Sequence, residues 1–369
     1  MSEYIKKNLR LPEFDLWEKK KSNNSLFSFT LELTARCNNN CRHCYINLPS
    51  NDKDAMQKEL GFDEIKKIAD EAVELGALWC LITGGEPLLR EDFEEIYIYL
   101  KRKGLFVSVF TNGVLINENH IKLFKKYPPR DLEITVYGIT KNIYGKVTQK
   151  PQNFEPFMEN IKLLIENNIK VSLKNVVIKS NLSEFDEISK FCRKYSVSPY
   201  RFDPLIHLRL DRSEKRNDEI KKERLLPEEI AELEKSDYKR FSSMQRNCEI
   251  LILNKELKEN NYLFSCGAGL SEFVVSYNGY FRLCSSLCHP DCIYDLKKGS
   301  IKDARQNFVP KIRAIKSFNK EFLSNCSKCK IINLCLWCPA HAYLETGHLD
   351  SYVEYFCEVA KARENIIKC

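Results

Sequence analysis

From residue 27 to residue 206, short apolar runs of strand length alternate with stretches whose apolar residues recur at helical spacing. The strand-like runs are 27–34, 78–83, 106–110, 132–136, 171–178 and 200–206. Between the first two, Ile65, Ile68, Ala69, Ala72 and Val73 fall on one helical face, and Gly76 supplies a stop. Phe157, Ile161, Leu164 and Ile165 repeat the pattern further on. Alternation of this kind builds βα units around a mainly parallel sheet. Six units do not close an eight-fold barrel, so the expected fold is α/β: an open, partial (βα)6 TIM-like barrel. Its active face lies at the C-terminal ends of the strands.

The pattern then changes twice. Residues 209–240 are dense in charge and poor in large apolar side chains, with Pro227 ahead of EEIAELEK, which predicts an exposed helix. We read this segment as a linker or lid. Beyond Cys248, strand-length apolar runs are few apart from 272–283, and most of the cysteines gather there. Such a stretch needs metal to fold compactly. The expected organisation is an N-terminal extension (1–26), a barrel (27–208), a charged linker or lid (209–247) and a small irregular cysteine-rich domain (248–369).

Composition narrows the function. The 369 residues are 43% hydrophobic, 30% charged and 11% aromatic, the balance of a folded globule. No run approaches the roughly 18 apolar residues of a membrane span, and the first residues lack a signal core. A cytoplasmic protein without a membrane partner is expected. The net charge of +7 is spread without long single-sign runs, so a mixed surface is expected rather than nucleic-acid binding. Sixteen cysteines in a reducing compartment point to metal or catalysis before disulfides.

Directly after the first predicted strand stands ARCNNNCRHCY, which places Cys37, Cys41 and Cys44 in a CxxxCxxC loop. Three thiolates can hold three irons of a 4Fe-4S cube and leave the fourth iron open. Zinc is the alternative, although a zinc site usually recruits four protein ligands, or three with water. CxxxCxxC after a leading strand resembles the signature of the radical S-adenosylmethionine (SAM) superfamily. The next loops continue the likeness: Gly84, Gly85, Glu86 and Pro87 match its GGEP, and Thr111, Asn112 and Gly113 match its TNG segment.

The resemblance implies that the GGEP backbone and Glu86 hold the SAM amino group, and that Asn112 contacts SAM. Thr135 stands where the family often has a serine near the SAM carboxylate; as a β-branched residue it also suits a plain strand. Tyr45, after the last cysteine, either packs beside the cluster or belongs to the core. The implied chemistry is reductive cleavage of SAM to a 5'-deoxyadenosyl radical, which abstracts hydrogen from substrate in a dry, closed site.

The C-terminal region carries Cys266-x12-Gly279-x4-Cys284, then Cys326-x2-Cys329-x5-Cys335-x2-Cys338, then Cys357. This is similar to the SPASM extension of radical SAM enzymes, which binds auxiliary 4Fe-4S clusters, with x2 where the family often has x3 before the Cys338 position. The likeness implies one cluster on Cys326, Cys329, Cys335 and Cys357, and another on Cys266, Cys284 and Cys338. The fourth ligand of the second is left open between Cys288, Cys292 and an open iron; a pair of zinc-ribbon knuckles is the alternative for the whole region. Cys80 and Cys192 lie on apolar faces and read as small buried hydrophobes. Cys248 and Cys369 have no partner in spacing, and His341 and His348 read as structural.

Many enzymes that resemble this chain mature peptides or proteins, so a peptide-modifying activity is the leading expectation. Radical oxidation or rearrangement of a small molecule is the alternative. Sulfatase maturation ranks lower, because Ser285 follows Cys284 where those enzymes carry an aspartate. A non-catalytic iron-sulfur carrier would not need GGEP and TNG. The extra clusters suggest net oxidation; an epimerisation in which Cys288 or Cys292 returns hydrogen is the other course. The implied partners are a flavodoxin- or ferredoxin-like one-electron reductant and, since the residues before the first strand are few, either a separate leader-peptide-binding protein or recognition of a peptide by the barrel's own edge.

Overall fold

Six of the apolar runs become parallel strands: β1 (Ser28–Glu32), β2 (Trp79–Thr83), β3 (Phe106–Thr111), β4 (Asp131–Thr135), β5 (Ser172–Val176) and β6 (Arg201–Asp203). They pair in sequence order. The computed structural model describes residues 26–253, 261–335 and 337–367. The runs at 27–34, 171–178 and 200–206 yield shorter strands, because their last residues leave the sheet as loops.

Side chains alternate across each strand. In β2 and β4, Cys80, Ile82, Leu132 and Ile134 are buried, whereas Leu81, Thr83, Glu133 and Thr135 are half-buried and line cavities inside the barrel. The helix Phe62–Glu74 buries Ile65, Ile68, Ala69 and Ala72, as its spacing predicts. The barrel is therefore sealed from outside by helices and partly hollow within.

The C-terminal region departs from the expected irregular domain. It contributes β7 (Glu272–Val275), β8 (Tyr280–Arg282) and β9 (Ile293–Asp295) to the same sheet. β7 runs parallel to β1, with Ser28 opposite Glu272, and the nine strands lie in the order β9-β8-β7-β1-β2-β3-β4-β5-β6. The run 272–283 is thus a hairpin and not one strand. Its turn is Asn278-Gly279, a strong hairpin signal hidden inside an apolar run, and Gly279 takes a φ of 91°. The rings of Phe29, Phe273 and Phe281 stack across three strands with centroids 5.7 and 4.9 Å apart, so one core continues from the barrel into the C-terminal region.

The charged segment also departs from expectation. It forms helices Glu214–Glu223, Pro227–Ser236 and Tyr238–Arg246, with Pro227 opening the second. That helix is not simply exposed: Ile230, Ala231 and Glu234 are buried. Two guanidinium groups, of Arg240 at 2.6 Å and Arg363 at 2.7 Å, offset the desolvation of Glu234. The segment is a packed wall. Among the described residues no helix is long and apolar enough to cross a membrane.

Candidate active site

The loop after β1 is closed at its base by backbone pairing of Arg36–Cys37 with Leu48–Pro49. Arg36 fixes that base through a two-pronged bond to Glu59, at 2.7 and 3.0 Å. Within the loop Cys41 is buried and Cys37 and Cys44 are half-buried. Backbone N–H groups of Asn39 and Asn47 point at the sulfurs of Cys37 and Cys44, each at 3.4 Å. Burial raises the Cys41 thiol well above its ordinary range, and the neighbouring charges of Cys44 and Cys37 raise it further.

Gly84 and Gly85 bring two backbones into contact. A Cβ on Gly84 would sit 2.3 Å from the Thr34 carbonyl, and one on Gly85 would sit 2.2 Å from that of Arg36. The close approach lets Gly85 N–H donate to Thr34 O at 2.7 Å and Glu86 N–H to Arg36 O at 2.8 Å. Any side chain here would push the cysteine loop off the barrel.

Glu86 is fully buried behind this wall. Its carboxylate accepts from Leu88 N–H (3.0 Å), Thr111 Oγ1 (2.7 Å) and Asn112 N–H (2.7 Å). Burial pushes its carboxyl up to about 7 against the pull of those donors. The side chain thereby locks the TNG segment in place, and Asn112 Nδ2 reaches Cys37 Sγ at 3.6 Å.

A cavity of about 570 Å³ opens above the loop, lined by Cys37, Cys41, Cys44, Tyr45, Gly84, Gly85, Asn112 and Thr135. Glu86 and Pro87 do not line it. Sequence reasoning missed Tyr137, Lys174, Asp203 and His207 on its wall. Lys174 Nζ lies 2.8 Å from Glu133 and 4.9 Å from the Phe110 ring centre. The signal for this pair was present: two opposite charges at inward register on neighbouring predicted strands. His43, enclosed in the loop, is pushed down to about 4 by burial and by the positive charges of Lys174 and Arg216.

The segment after β6 grips the same loop from outside. Arg209 Nη1 donates to Cys44 O at 3.3 Å and Asn47 Oδ1 at 2.9 Å, and Arg216 Nη2 donates to Cys41 O at 3.0 Å.

The C-terminal cysteines fall into groups. Cys326, Cys329, Cys335 and Cys357 line one cavity of about 460 Å³ with Trp337 and Tyr352. Burial, then the neighbouring charges of Cys335, Cys329 and Cys357, push Cys326 up to about 12. Cys338 is pushed up to about 12 by burial and by the charges of Cys284 and Cys266, so these three also share a neighbourhood. Cys288 instead directs its thiol at Leu210 O, 3.2 Å away, and Cys292 is enclosed in the apolar core. Cys80, Cys192 and Cys248 are buried, and Cys369 lies outside the described residues. His341 stacks on His207 with centroids 3.9 Å apart, and its backbone N–H meets Cys338 Sγ at 3.4 Å. No group of three or more His, Cys, Asp and Glu among the described residues is drawn tightly enough to hold a single metal ion.

A family model for the Radical SAM superfamily matches residues 31–192. Residues 31–192 are a radical SAM domain. The domain works with a 4Fe-4S cluster and SAM. Among curated relatives, the antilisterial bacteriocin subtilosin biosynthesis protein AlbA of Bacillus subtilis is 26% identical over 269 residues, covering 69% of this chain and 54% of AlbA. An AdoMet-dependent heme synthase of Methanosarcina barkeri is 24% identical over 344 residues, covering 86% of this chain and 92% of that protein. Streptococcus suis SuiB, solved with its precursor peptide SuiA, has the same fold, with a TM-score of 0.67 at 15% identity, over 97% of this chain and 83% of SuiB.

The residues on the cavity suit this radical SAM cofactor pair. Burial first, and then the charges of the neighbouring cysteines, hold the Cys37 and Cys41 thiols against ionisation, so they need nearby positive charge, which iron supplies. Their loop faces a void large enough for a small-molecule ligand.

Proposed function

We propose that Cys37, Cys41 and Cys44 hold the 4Fe-4S cluster, that SAM sits against Gly84, Gly85, Asn112 and Thr135, and that the substrate is a peptide or protein. When bound, the cluster and SAM supply a 5'-deoxyadenosyl radical that takes a hydrogen atom from substrate. The chain's own part is positioning. Glu86 orders the TNG segment, and the glycine pair presses its loop to the cysteine loop. Cys326, Cys329, Cys335 and Cys357 are assigned to one auxiliary cluster, and Cys266, Cys284 and Cys338 to another. We assign residues 27–208 to the catalytic barrel and 248–369 to the auxiliary-cluster region, working in the cytoplasm with an external one-electron reductant.

The likeness to the subtilosin biosynthesis protein carries the peptide reading, supported by a fold shared with SuiB. A second reading, modification of a small molecule, draws on the heme synthase relatives, one of which is matched over 92% of its length. Anaerobic reconstitution with iron and sulfide tests the assignment. Three clusters predict about twelve irons per chain, and replacing Cys37, Cys41 and Cys44 by alanine leaves about eight and abolishes 5'-deoxyadenosine release. Four irons with bound zinc would overturn the auxiliary clusters, and no SAM cleavage under strong reduction would overturn the whole assignment. Mass shifts in a peptide encoded beside the gene would support the peptide reading; turnover of a porphyrin and of no peptide would overturn it.

A further inference from the structure

A second cavity, of about 320 Å³, lies between the cysteine loop, the segment after β6 and the C-terminal hairpin. It shares Tyr45 and Ile46 with the larger cavity, so the two voids adjoin through these side chains. Glu32, at the end of β1, and Arg282, at the end of β8, lie on its wall, and both are only 3% exposed. They form an ion pair with each other. Even so, Glu32 Oε1 and Arg282 Nε have no hydrogen-bond partner, and the further donor Arg282 Nη1 is taken by Ser285 O at 3.0 Å.

A buried acceptor and a buried donor left open beside one void cost free energy unless something bonds to them. The charges cancel: Glu32 balances Arg282, and Arg209 is bonded to Asp211 on the same wall. An anion or a cation therefore gains nothing here. A neutral group that both donates and accepts fits, and Leu48 and Ile293 supply apolar walls around it.

We propose that this cavity is a subsite for a carboxamide of the substrate, with its N–H directed to Glu32 and its carbonyl to Arg282. The carboxamide is a backbone peptide unit or an Asn or Gln side chain. The inference rests on the peptide reading above, and it adds the group that is held while the neighbouring residue faces the larger cavity.

Fluorine NMR on the reconstituted holoenzyme with SAM tests it, using N-(2,2,2-trifluoroethyl)acetamide, 3,3,3-trifluoropropionamide and 3,3,3-trifluoropropionate as probes. The two amides are expected to bind and the carboxylate not to. Ile293→Trp, which fills the void from a half-buried edge position, is expected to weaken amide binding by about tenfold or more while SAM cleavage persists; Glu32→Gln is expected to do the same to binding. Tighter binding of the secondary amide assigns the peptide unit, and tighter binding of the primary amide assigns the side chain. Amide binding unchanged in Ile293→Trp, equal binding of the carboxylate, or no amide binding would overturn the subsite. Loss of SAM cleavage in the unmodified chain would instead strike the proposed function and leave the binding result standing.

Discussion

The two cysteine-bearing regions are built on different terms. The loop of Cys37, Cys41 and Cys44 is held from every side: a backbone bridge closes its base, two glycines press against it, and Arg209 and Arg216 grip its carbonyls. Cys326, Cys329 and Cys335 sit instead on or beside two short turns, Phe322–Cys326 and Ile332–Leu334, whose own backbone bonds are local, with one distant backbone bond nearby from Leu253 N–H to Lys330 O at 2.9 Å. Arg363 adds a tie at Leu334 O, 2.8 Å away. The contrast teaches that a barrel can build a cluster site in advance, whereas short turns leave much of the work to the metal.

Metal removal should divide the two regions most sharply. In chelated protein, cleavage by a protease within 322–357 is expected to rise by about tenfold or more while 27–208 stays protected, because the proposed auxiliary site would fold with its metal. Mass mapping of the fragments reads this directly, and equal protection of both regions would break the comparison. Gly85→Ala attacks the prebuilt side. With a Cβ 2.2 Å from the Arg36 carbonyl, destabilisation upwards of about 4 kcal/mol is expected in urea unfolding, together with loss of iron from the first site.

Glu86 gives a smaller, pH-dependent effect. Its folded carboxyl titrates near 7 against an ordinary value of 4.5, so between those values the folded state binds more protons than the unfolded one. Stability should therefore fall as pH rises through that window, by about 3 kcal/mol for this group, and then level off. Denaturation of the metal-free protein across the window measures the slope, which Glu86→Gln should flatten. Arg209→Met, which removes the clamp on Cys44 and Asn47, should cost about 1–3 kcal/mol and slow cluster uptake without changing the C-terminal region. A larger loss there than at the first site would blur the contrast.

Much of this was legible in the sequence. Strand-length apolar runs located the six barrel strands, and the likeness to the SPASM extension implied the grouping of Cys326, Cys329, Cys335 and Cys357, which line one cavity. Other features depended on distant contacts. Nothing near Arg209 or Arg216 tells that they reach Cys44 and Cys41, because charge-rich segments read as solvated unless their partners are known. Glu86 looked like a ligand-facing residue, yet its carboxylate is spent on Thr111 and Asn112, which only the register of β2 and β3 reveals. The hairpin at Asn278-Gly279 was hidden by apolar residues on both sides of a clear turn signal.

The place of β7 beside β1 has a consequence for how the protein is made. β1 leaves the ribosome some 240 residues before the strand that covers its edge. At roughly 5–20 residues per second, that edge and Phe29 stay open for about 10–50 seconds. During synthesis the nascent chain therefore carries a bare strand edge until β7 emerges to cover it.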